Sequence, residues 1–94
     1  MNTTFLLMAQ YDCQVIIPLE RVCADYFTHL TPDKMKLKVA RGEIDLPLVQ
    51  MESSQKSARG VHLVDLAAYI DAQRDKARIE HDKLMGHTPS RRRS

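Results

Sequence analysis

A chain of 94 residues is a single domain whose folding buries only about 60–65% of the unfolded surface, so its core is modest and a deep catalytic cleft has little room. With 44% apolar and 28% charged residues it has the make-up of a folded domain and not of a disordered chain. Its formal net charge of +2 is too small to name a polyanionic partner, which leaves that question to local clustering.

The opening "MNTTFLLMAQYD" has no basic leading segment, and its apolar run is too short for a signal-peptide core or a membrane span. A cytoplasmic chain without membrane contact is the expectation. In a reducing compartment Cys13 and Cys23 are expected as free thiols, with Cys23 packed as a small hydrophobe. There is no C-x-x-C pair, and His29, His62, His81 and His87 are scattered without ligand spacing, so neither a metal nor a cofactor is expected.

"TFLLMAQ" and "QVIIP" are short apolar runs around a polar "YDC", which predicts a hairpin or two short extended segments. Pro18 suits the first turn of a helix, where its missing N–H is not needed. After it, Leu19, Val22, Cys23, Tyr26 and Phe27 recur at i, i+3, i+4, i+7 and i+8, the apolar face of an amphipathic helix. "THL" is then a tight turn.

The next helix is punctuated at both ends. Thr31 is a good N-cap, Pro32 fits N1, Asp33 puts negative charge in the first turn, and Gly42 can take the left-handed position after Arg41. Met35 and Val39 form an apolar pair that can face the first helix, whereas Lys34, Lys38 and Arg41 share another stripe. Lys36 points away from that stripe. Two helices joined by a few residues, the second one basic on its outer side, form the pattern of a helix-turn-helix.

"IDLPLVQM" predicts a half-buried strand with an irregularity near Pro47. The loop "ESSQKSARG" and the short "VHL" complete a hairpin directly after the basic helix, in the position of a wing. Lys56 and Arg59 there can neutralise phosphates, Gln55 and Ser57 can donate hydrogen bonds, and Gly60 is expected to turn the chain back into the sheet. "VDLAAYIDAQRDKARIEH" closes the core as a last helix through Leu63, Leu66 and Ile70, with Tyr69 alongside. Ile70, Ala77 and Leu84 recur every seven residues, but Gln73 and Glu80 occupy the intervening places and support a coiled coil poorly.

The segments "FLLMAQYD", "IPLERVCADYF", "HLTPDKMKLKVARGEIDLPLV" and above all "SSQKSARGVHLVDLAAYIDAQR" resemble the pyocin activator protein (PrtN) family over roughly Asn2 to Arg78. The resemblance implies a small transcriptional activator of bacteriocin or phage-tail-like genes, with a winged-helix arrangement similar to phage excisionase and Cox-like regulators. The expected fold is therefore α+β, a small winged helix-turn-helix of about three helices with an N-terminal hairpin and a wing. Residues 1–79 would form the DNA-binding domain, and residues 80–94 a frayed helix end and a basic tail. Arg91, Arg92 and Arg93 of that tail lie outside the resemblance.

The candidate DNA-binding residues are Thr31, Lys34, Lys36, Lys38 and Arg41 on the helix, with Gln55, Lys56, Ser57 and Arg59 in the wing. Double-stranded DNA is the expected partner and RNA polymerase a second candidate. A single module of this kind buries only about 600–1,000 Å², which favours a homodimer or tandem binding on DNA. An excisionase-like architectural factor that bends DNA, or a protein-interaction module using the same surface, are the alternatives. No enzyme is expected, because no nucleophile–base pair and no phosphate-cradling glycine loop stands in the sequence.

Overall fold

The computed structural model of the protein describes residues 2–51 and 58–86. In chain order the elements are α1 (Thr3–Gln10), β1 (Ile16–Pro18), α2 (Leu19–Tyr26), α3 (Pro32–Ala40), β2 (Val49–Gln50), β3 (Arg59–His62) and α4 (Leu63–Leu84). The fold is α+β: four helices and one antiparallel sheet of three strands in the order β1-β3-β2. It is compatible with a small winged helix.

The first apolar run is a helix, not the first arm of a hairpin. Asn2 caps it by accepting a hydrogen bond from the Phe5 N–H at 2.8 Å. One turn apart, Leu7 and Tyr11 then reach the core on one side. α1 lies along α4, and the Thr3 hydroxyl donates to Asp71 at 2.5 Å. The chain reverses after α1 through Asp12 and Cys13, which hold left-handed φ values of 52° and 62°. Such backbone costs about 1–2 kcal/mol per non-glycine residue. Hydrogen bonds from the Cys13 N–H to Met8 O and from the Gln14 N–H to Tyr11 O hold the reversal in place.

β1 pairs with β3 and not with the first run, from Ile16 opposite His62 to Pro18 opposite Gly60. Gly60 also faces Val49 of β2, which places it inside the central strand and not at the turn expected of it. A Cβ there would lie 2.6 Å from Ile16 Cγ2 and 3.0 Å from the Ile17 carbonyl oxygen, so close approach of β1 is what requires glycine. The strand expected over "IDLPLVQM" shrinks to Val49–Gln50. Ile44 and Leu46 are nonetheless buried, so the irregular chain before β2 is anchored by the alternation that suggested a strand.

Pro18 is the N-cap of α2 and ends β1. Leu19, Val22, Cys23 and Phe27 are buried as the helical spacing predicts, whereas Tyr26 is exposed and its hydroxyl donates to Gln10 Oε1 at 2.8 Å. Met35 of α3 is fully buried beside them in the same core, with Val39 packed against it. α4 starts without a linker: the His62 ring Nδ1 accepts from the Val64 N–H at 3.1 Å, and Leu63, Leu66 and Ala67 enter the core. Phe27 and Tyr69 bring α2 and α4 together, ring centres 5.7 Å apart. Both cysteines are free, Cys23 buried and Cys13 exposed. Burial, with Glu20 nearby, raises the Cys23 thiol above its ordinary range, which keeps it protonated and unreactive.

Candidate nucleic-acid interface

α2, a short turn and α3 form the helix pair. The Leu30 N–H returns to the Phe27 carbonyl at 2.8 Å, and Thr31 accepts from the Lys34 N–H at 3.3 Å, so the turn closes and α3 starts with its first turn capped. Met35 points inward from α3, and this fixes the rotation of the helix and hence which side chains face water. Lys34, Lys38 and Arg41 follow one flank of that buried line; Lys36 lies on the other, 3.9 Å from Asp33.

The end of α3 is built as a Schellman turn. Gly42 adopts φ 76°, its N–H donates to Val39 O at 3.0 Å, and the Glu43 N–H donates to Lys38 O at 2.9 Å. The turn folds Glu43 back over the last helical turn. Its carboxylate is 3.2 Å from the Lys38 ammonium and 3.8 Å from the Arg41 guanidinium. Two of the three stripe cations therefore share one anion, a partner that reading the stripe alone missed. The sequence signal was "RGE": a C-terminal glycine places the residue after it against the helix end. Among the described residues, Lys34 is exposed and makes no ion pair.

β2 and β3 pair at the base of the segment expected as a wing, with Gln50 opposite Arg59. Arg59 is half-buried within the sheet. Gln55, Lys56 and Ser57 lie outside the described residues. The link from α3 to β2 is pinned to the core by Ile44 and Leu46, so the helix and the wing base hang from the same hydrophobic cluster.

Away from this side, Tyr11 is buried and its hydroxyl donates to Asp25 Oδ2 at 2.6 Å, with the Arg21 guanidinium 4.6 Å over its ring. Burial first, then the hydrogen bond to Asp25, pushes the phenol well above the ordinary tyrosine range, so it stays a donor. These contacts tie α1 to α2. Asp45 and Pro47 form an open groove with Asp65, Tyr69, Gln73 and Lys76 of α4. Among the described residues no group of three His, Cys, Asp or Glu side chains could hold a metal ion, and no helix is long and apolar enough to cross a membrane.

A helix pair whose second member carries exposed cations, followed by two paired strands, is compatible with a small winged-helix-like fold. The model of the family described as pyocin activator protein PrtN matches residues 3–77, and the chain belongs to that family of regulatory activators. Searches of curated proteins and of solved structures return no match to the chain.

Proposed function

We propose that this protein is a sequence-specific DNA-binding transcriptional activator of bacteriocin, pyocin-like or phage-tail-like genes. The observation that supports the reading is a pair of helices joined by a short turn and followed by two paired strands, α2 through β3, lying within the stretch matched to an activator family. α3 would enter the major groove, with Lys34, Lys38 and Arg41 toward the backbone and Thr31 at the end nearest a phosphate. Arg59, with Gln55, Lys56 and Ser57 of the wing loop, would meet the adjacent backbone. Lys36, held toward Asp33, has the weakest claim.

The protein would work in the cytoplasm as a non-enzymatic regulator, binding as a homodimer or as tandem copies and contacting RNA polymerase once on DNA. Residues 1–79 would be the part that reads DNA. Selection of the purified protein on a random duplex pool tests the reading, with Lys34→Ala and the double change Lys56→Ala, Arg59→Ala run in parallel. The wild type should enrich a defined motif, and the variants should bind that motif several-fold more weakly with a shallower salt slope; unchanged affinity in both variants would remove these residues from the interface.

A further inference from the structure

Glu43 places an anion between two cations of α3. Its carboxylate lies 3.2 Å from Lys38 and 3.8 Å from Arg41, and the Schellman turn at Gly42 sets the Glu43 backbone beside them through hydrogen bonds that involve neither cation's side chain. All three side chains are partly exposed, Lys38 at 39%, Arg41 at 66% and Glu43 at 46%, so an incoming polyanion can reach the pair. We propose that Glu43 is an intramolecular competitor for the DNA phosphates that Lys38 and Arg41 would contact, and that it thereby lowers the phosphate-driven affinity of the interface. The inference rests on the DNA-binding reading of α3.

The physical argument has two parts. An exposed ion pair is weak, so a phosphate can displace the carboxylate, but each displacement must first undo the internal pairing and bring DNA close to the Glu43 charge. That penalty is the same on every sequence. It lowers non-specific binding, which is almost wholly phosphate contact, in full proportion. A matched site bears the same penalty, so Glu43 lowers affinity for any duplex and leaves the choice among sequences to base contacts. Lys34, outside the pair, contributes its charge to any duplex.

The test measures binding of wild type and variants to a random-sequence duplex across a salt series. Glu43→Gln should bind about three- to fivefold more tightly near 100 mM salt, with the slope of log K against log salt steeper by about one. Lys38→Ala should cost less than Lys34→Ala in the wild type and as much in the Glu43→Gln background, which isolates the coupling from any change in net charge. Glu80→Gln, the same charge change on exposed α4, should leave affinity near that of the wild type.

Wild-type binding with no gain for Glu43→Gln, or an equal gain for Glu80→Gln, overturns the inference and leaves the DNA reading standing. No duplex binding by the wild type at any salt overturns both. Glu43→Asp, which keeps the charge on a shorter side chain, is a second variant that should bind between the wild type and Glu43→Gln, and wild-type affinity in both variants overturns the inference.

Discussion

Gly60 faces Pro18 on one side and Val49 on the other, with Ile16 Cγ2 and the Ile17 carbonyl where a Cβ would go. A side chain can give way, but the backbone oxygen moves only with its strand. Gly60→Ala should therefore lower stability by about 2 kcal/mol, read as a fall in Tm of roughly 8–16 °C for a domain of this size. Tyr11 makes a second prediction at this scale. Its phenol titrates higher in the folded than in the unfolded chain, so the folded state binds the extra proton above about pH 10 and stability falls as pH rises beyond that point. Tyr11→Phe should cost about 1–2 kcal/mol at neutral pH by removing the bond to Asp25, and its alkaline unfolding should set in more gently than that of the wild type.

Among the elements, α3 was the most legible because its ends carry their own chemistry: Thr31 and Pro32 at the start, Gly42 at the stop. Thr31→Ala should cost about 1 kcal/mol in a denaturant titration, since the Lys34 N–H then loses its acceptor. α1 departs from the extended segment its sequence predicts for a physical reason. "TFLLMAQ" is apolar almost all round, so its periodicity does not separate a helix from a strand, and what decides is the Asn2 cap together with burial of Leu7 and Tyr11 against the rest of the chain. β2 shrank because alternation reports which side chains are buried and not whether the backbone is paired: Ile44 and Leu46 reach the core from irregular chain. In the interface, the cations of α3 were visible in the sequence and the anion between two of them was not, because Glu43 joins them only through the turn that Gly42 permits.

The whole molecule is longer than its size suggests. Its radius of gyration is 15.4 Å and its extents are 50 × 29 × 21 Å, whereas a compact domain of this length has a radius near 12 Å. The cause is α4, whose residues enter the core at Leu63, Leu66 and Ala67 but are exposed from Asp71 through His81. Beyond Asp71 the helix therefore depends on its own hydrogen bonds and side-chain pairs, which hold short isolated helices only marginally in water. Amide hydrogen exchange should show slow exchange over the first two turns of α4 and exchange faster by about a hundredfold or more over its last two turns, and uniform protection along α4 would contradict a free-standing end.

The strand order carries a consequence for how the protein is made. β3 is bonded to both β1 and β2, and those two are not bonded to each other. A ribosome that has released the chain as far as Gln50 has delivered both outer strands and no sheet: Ile16 waits for His62 and Val49 for Gly60. Until the chain has passed His62, Ile17 has no complete partner strand and α1 has no α4 to lie against. β3 and α4 thus complete the sheet for β1 and the packing for α1, and a chain halted before them has neither.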